Sequence, residues 1–100
     1  MKIVAVTACP TGIAHTYMAA AQLEKAAKRL GHSIKVETQG SMGIENELSA
    51  SDIKDANAAV FAVEIPVRNK ERFEGMKILE VSVQDAIKNP DAIFTKLSQP

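Results

Sequence analysis

After Lys2 the chain opens with an apolar, largely β-branched run that reaches Thr7, and a second run, Ala58 to Val63, contains no polar residue at all. Neither run has a polar face to offer water. Each is therefore expected to be a strand covered on both sides, as in a parallel sheet between helices. Between them, Ile13, Thr16, Ala20, Leu23, Ala27 and Leu30 recur at spacings of three and four, the period of a helix packed along one face. A strand, a helix and a parallel strand make a right-handed crossover unit, and an α/β sheet follows.

The remaining elements are expected from local signals. The first helix runs from about Gly12 to Leu30 and stops at Gly31, a natural C′ residue. Ser33 to Thr38 alternates as Ile34-Lys35-Val36-Glu37, the period of a half-exposed strand and so of a sheet edge. Gln39-Gly40-Ser41-Met42-Gly43 reads as a polar loop, and Ile44 to Glu47 as a helical turn. Ser49 and Asp52 stand at capping-box spacing before a short helix that ends near Ala56. After the strand at Ala58 to Val63 comes the Glu64–Arg68 loop, and then a short helix over Asn69 to Phe73 closed by Gly75. Lys77 to Val81 is a fourth strand, Ser82 caps a helix to Lys88, Asn89-Pro90 breaks it, and Pro90 to Leu97 forms the last helix. The expected fold is one α/β domain over residues 1–100. It has an open four-stranded parallel sheet of order 2-1-3-4 and helices on both faces, in a doubly wound, Rossmann-like arrangement. The strand order reverses between the first and third strands, and ligands bind at such a point, beyond the carboxyl ends of the strands.

Cys9 stands at that point, between the end of the first strand and a Pro-Thr-Gly turn into a helix. The first N–H groups of a helix lack intrahelical partners, and its dipole is positive at the same end, so together they attract anions. Pro10 has no N–H, but Thr11, Gly12, Ile13, Ala14, His15 and Thr16 can each contribute one. The same field favours a thiolate, the nucleophilic form of cysteine. A thiolate ringed by such amides can accept a phosphoryl group and, being a good leaving group, release it. Counting on from Cys9, His15 occupies the place that arginine takes in the C-x5-R loop of cysteine phosphatases, and histidine lacks arginine's bidentate fork. A loop of this kind suits the receipt and forwarding of phosphate better than its hydrolysis. Gln39, Gly40 and Ser41 after the second strand, and Arg68 after the third, are accessory candidates on the same sheet edge.

Composition narrows the classes further. The 100 residues carry 12 Lys and Arg against 12 Asp and Glu, without tryptophan, which is unlike a nucleic-acid binder with its basic stripe and stacking aromatics. Residues 1–40 hold five basic against two acidic side chains, net +3, and residues 41–100 hold seven against ten, net −3. The half with the cysteine loop is thus the basic one. One cysteine excludes an internal disulfide and a cysteine-cluster metal site. The first strand leaves no room for a signal peptide, and no apolar run approaches bilayer length. A cytoplasmic domain with no metal or cofactor is expected.

The stretch Thr7-Ala8-Cys9-Pro10-Thr11-Gly12-Ile13-Ala14-His15-Thr16-Tyr17-Met18-Ala19-Ala20, followed by Val36-Glu37-Thr38-Gln39-Gly40-Ser41, Gly43-Ile44-Glu45-Asn46-Glu47-Leu48 and Asp52-Ile53, resembles the fructose-type enzyme IIB of the bacterial phosphoenolpyruvate-dependent sugar phosphotransferase system. The resemblance covers about the whole chain. It departs at Ala21, where members often carry glutamate. It implies that Cys9 accepts a phosphoryl group from a phosphohistidine of enzyme IIA. It further implies that the group passes to a sugar, fructose or a relative, held by the membrane enzyme IIC. The loop amides from Thr11 to Thr16 would hold the phosphate, and the domain would meet the inner face of the membrane through enzyme IIC without inserting into it. Two rival readings remain at this level, a cysteine-loop phosphatase and a non-catalytic regulatory domain of the same fold.

Overall fold

The computed structural model describes residues 1–10, 13–40 and 43–99. Its elements are β1 (Lys2–Ala8), α1 (Ile13–Arg29), β2 (Ser33–Gly40), β3 (Gly43–Glu45), α2 (Ala50–Asp55), β4 (Ala58–Val63), a 3-10 turn (Lys70–Phe73), β5 (Ile78–Val81), α3 (Val83–Lys88) and α4 (Pro90–Leu97). They form one sheet of order β3-β2-β1-β4-β5. The pairs β1–β2, β1–β4 and β4–β5 are parallel, and only β3 runs antiparallel, against β2.

The four expected strands thus stand in the expected order, and the fifth corrects the count. Gly43–Glu45, expected to be loop and helical turn, adds to the edge instead, with Gly40 opposite Gly43 and Thr38 opposite Glu45. Gln39 and Gly40 belong to β2 rather than to a loop. The strand β3 covers only residues 38–40 of β2, so residues 33–35 keep the half-exposed edge character expected of them, whereas Val36 to Gln39 are buried. Lys35 does face solvent, but Glu37 and Gln39, which continue its polar alternation, are buried, because a partner 35 residues further on from Glu37, Arg72, neutralises it inside the fold.

One face of the sheet carries α1, α3 and α4 over Ile3, Ala5, Val60 and Ala62, with Leu23 and Phe94 filling the middle. Ala19, Ala20, Ala26 and Ala27 line the buried side of α1, and their small side chains let the helix lie close to the strands. The other face carries α2 and the 3-10 turn over Val4, Val6, Ala59 and Phe61. There Phe61 and Phe73 meet edge to face, 5.0 Å between centroids and 81° between planes. Such a pair contributes about 1 kcal/mol beyond its buried area.

The helix ends are set by the residues that mark them in the sequence. Gly31, at φ +82°, closes α1 with its own N–H on the Lys28 carbonyl at 3.2 Å and the His32 N–H on the Ala27 carbonyl at 2.8 Å. That pairing satisfies carbonyls the helix leaves open, and it needs a left-handed residue. Ser49 caps α2 in a reciprocal box: its hydroxyl accepts from the Asp52 N–H at 3.0 Å, and the Ser49 N–H donates to the Asp52 carboxylate at 3.0 Å.

Candidate functional site: the Cys9 loop at the switch point

At the carboxyl ends of the strands, Gln39, Ala8 and Val63 stand side by side in register, on β2, β1 and β4. Cys9 is the next residue after Ala8. It is buried, only 6% exposed, and packs among the side chains on the α1 face. The helix α1 begins four residues later. Its start is fastened to β1 by the Thr7 hydroxyl, which donates to the Thr16 carbonyl at 3.2 Å, with both residues buried. The first turn of α1 carries no acidic side chain, so nothing there opposes an anion at its amino terminus.

Beside Cys9 lies a depression of about 390 Å³ lined by Cys9, Pro10, His15, Glu64, Val83 and Gln84. His15, in the first turn of α1, brings its Nδ1 to 3.8 Å from Cys9 Sγ, within hydrogen-bond reach of sulfur. The opposite wall comes from the end of β4. The Glu64 N–H donates to the Ala8 carbonyl at 2.9 Å, and the Glu64 carboxylate accepts from the Val83 N–H at 2.9 Å at the start of α3. One residue thereby ties β1, β4 and α3 around the cysteine.

Of the residues singled out from the sequence, Cys9, Pro10 and His15 come together. Ala14 and Thr16 belong to the first turn of α1, Ala14 exposed and Thr16 buried. Thr11, Gly12 and Ser41 lie outside the described residues, as does the side chain of Ile13. Gly40 ends β2 half-buried, and Arg68 is exposed and makes no ion pair among the described residues.

Gln39 points inward. Its side-chain N–H groups donate to Glu37 at 2.7 Å and to the Arg68 carbonyl at 3.1 Å, and its oxygen accepts from the Arg68 N–H at 2.8 Å. Behind it, Arg72 grips the Glu37 carboxylate with two guanidinium nitrogens at 2.9 and 3.0 Å, and the Leu48 N–H adds a third bond at 2.9 Å. Burial works against a charge on Glu37, but the hydrogen bonds from Arg72, Gln39 and Leu48 outweigh it and hold the carboxyl below its ordinary range. The same contact raises Arg72. Neither Glu37, Glu64 nor Arg72 carries a local sequence signal for these roles, because each depends on a partner distant in the chain.

The described residues contain no cluster of histidine, cysteine or carboxylate side chains that would hold a metal ion. No helix is long and apolar enough to cross a membrane among them. Fold and site together define an α/β domain with a single buried cysteine at the switch point of its sheet, facing the start of its longest helix.

Residues 4–96 match the family model described as "PTS system, Lactose/Cellobiose specific IIB subunit". The chain is 53% identical over 96 residues to the PTS system fructose-like EIIB component 2 of Escherichia coli K12, covering 96% of this chain and 91% of that one. It is 48% identical over 99 residues to the Fructose-like PTS system EIIBC component of the same organism, 97% of this chain but 20% of that larger protein. The solution structure of an Enzyme IIB subunit of the PTS system from E. coli K12 superposes with a TM-score of 0.90 at 45% identity, over 96% of this chain and 89% of that one. The chain belongs to the IIB family of the sugar phosphotransferase system and is a fructose-type EIIB domain. Phosphotransferase activity in sugar transport is the general function of that family.

Proposed function

We propose that this domain is a phosphoryl relay in which Cys9 takes a phosphoryl group from a phosphohistidine of enzyme IIA and passes it to a sugar held by the membrane enzyme IIC. The observation that carries the reading is the position of Cys9, buried at the end of β1, ahead of α1, with the His15 ring nitrogen 3.8 Å from its sulfur.

In the first step the Cys9 thiolate attacks phosphorus, an S–P bond forms, the N–P bond of the donor breaks, and its imidazole leaves with the electron pair. In the second step a sugar hydroxyl attacks the same phosphorus, an O–P bond forms, and the thiolate departs as the hydroxyl proton passes to a base. Both steps gain from hydrogen-bond donors fixed around the transferring oxygens before reaction. The start of α1, with the amides from Thr11 to Thr16, supplies such donors in this reading, and Pro10 shapes the entry to that turn. His15 is suited to hold one phosphate oxygen or to steady the thiolate between transfers. No metal or cofactor enters either step.

The relatives named fructose-like favour fructose or a closely related sugar over the disaccharides in the family description. The EIIBC relative, whose name joins the two components, supports enzyme IIC as the acceptor's carrier and a working position for this domain at the cytoplasmic face of the membrane. The test is sugar phosphorylation in membranes that contain the cognate enzyme IIC, supplied with phosphorylated enzyme IIA and labelled fructose. Wild-type protein is expected to restore sugar phosphate formation and Cys9→Ser to fail. Full activity of Cys9→Ser contradicts the relay.

A further inference from the structure

The geometry points to Gln39 as a positioning residue that braces the Cys9 loop from the sheet face opposite α1. This inference rests on the relay reading of Cys9. In the sheet, β1 lies between β2 and β4. Gln39 lies one residue before the end of β2 and Arg68 follows β4, so a contact between them spans the carboxyl end of β1, next to Cys9. They do meet, through both backbone groups of Arg68: the N–H at 2.8 Å and the carbonyl at 3.1 Å. Ala8 is the residue in register with Gln39, and its small, fully buried side chain leaves room on that face.

The brace is rigid because Gln39 is itself held. It is 1% exposed, and its amide is oriented by Glu37, which is fully buried and fixed by Arg72. The amide orientation is thus assigned by its partners, since Glu37 can only accept and the Arg68 N–H can only donate. Arg72 adds a bond of 3.2 Å to the Arg68 carbonyl, so the same point is gripped from two sides. The segment braced in this way begins with Glu64, which lines the depression beside Cys9. On the α1 side, the Thr7–Thr16 bond does the corresponding work. Cys9 leaves the sheet between these two fastenings, and misplacing a reacting group by about 1 Å can slow transfer about a hundredfold.

The test compares wild type with Gln39→Met, which keeps the length of the side chain and deletes its hydrogen bonds. Two rates are measured below the melting temperature of every variant: phosphoryl transfer from enzyme IIA across a range of IIA concentrations, and alkylation of Cys9 by iodoacetamide. Gln39→Met is expected to lower the maximal transfer rate by about tenfold with little change in the half-saturating IIA concentration. Alkylation of the loosened, less buried thiol is expected to rise about threefold. Arg72→Lys, which keeps the charge and loses the fork, gives smaller changes of the same signs and serves if Gln39→Met does not fold. Ser49→Ala, a destabilising change at the start of α2, moves neither rate. Unchanged transfer and alkylation in the folded Gln39→Met or Arg72→Lys protein overturns the inference. If wild-type Cys9 alkylates but accepts no phosphate from any phosphorylated IIA, the relay reading fails, and the alkylation rates alone judge the brace.

Discussion

Glu37 and Arg72 form a two-pronged ion pair, 2.9 and 3.0 Å, with the carboxylate entirely buried and the guanidinium one-fifth exposed. The Arg72 guanidinium also lies 5.0 Å from the centre of the Phe73 ring. Removing one partner strands the other. Arg72→Ala is expected to cost about 3 kcal/mol, because Glu37 then stays buried with its charge uncompensated. Urea unfolding followed by circular dichroism measures this, and a loss below about 1 kcal/mol contradicts it.

Acid should weaken the fold in a defined window. The Glu37 carboxyl is held below its ordinary 4.5 in the folded state, so the unfolded chain takes up that proton first as pH falls. Its contribution is complete above 4.5 and disappears as pH drops through the folded value. Asp52 adds a second step: the Lys35 ammonium, then the backbone and hydroxyl of Ser49, lower it from 3.8 to about 2. Urea midpoints are expected to be flat between about pH 7 and pH 5 and to fall below that. In Glu37→Gln the upper part of the fall should vanish while the Asp52 part remains.

Gly31 sits at φ +82°, with open space where a Cβ would stand. Gly31→Ala meets no neighbour, so any loss is backbone strain alone, expected at about 1 kcal/mol. Thermal melting checks this, and an unchanged or raised midpoint contradicts the left-handed closure of α1.

His15→Ala is expected to slow phosphoryl transfer about a hundredfold, because its Nδ1 lies 3.8 Å from Cys9 Sγ, while leaving the melting temperature near wild type, since the ring is only half-buried. Rapid-quench measurement of the transfer rate decides. A rate equal to wild type would show that the first turn of α1 acts through its backbone only.

How much of this was legible in the sequence depended on whether the signal was local. The strands at Ile3–Thr7 and Ala58–Val63 announce themselves by composition, and Gly31, Ser49, Ser82 and Pro90 mark helix ends with their own backbone chemistry. The position of Cys9 followed from the same signals, because strand end, turn and helix start lie within a few residues. What escaped was non-local. Glu37 looks like a solvent-facing strand residue until Arg72 is brought to it, and Gln39 looks like a loop residue until Arg68 folds back across β1. The three residues of β3 are too few to show a period, and the pairing with β2 is what makes them a strand. Glu64 gave no sign that its side chain would seat the start of α3.

The central claim is that Cys9 carries the phosphoryl group, and intact-mass spectrometry tests it most directly. The protein is incubated with phosphoenolpyruvate, enzyme I, HPr and a matching enzyme IIA, then examined under neutral conditions that preserve an S–P bond, beside Cys9→Ser. A single phosphoryl adduct that maps to Cys9 and is absent from the variant is the expected result. An adduct that persists in Cys9→Ser, or no adduct with enzyme IIA fully phosphorylated, contradicts the account.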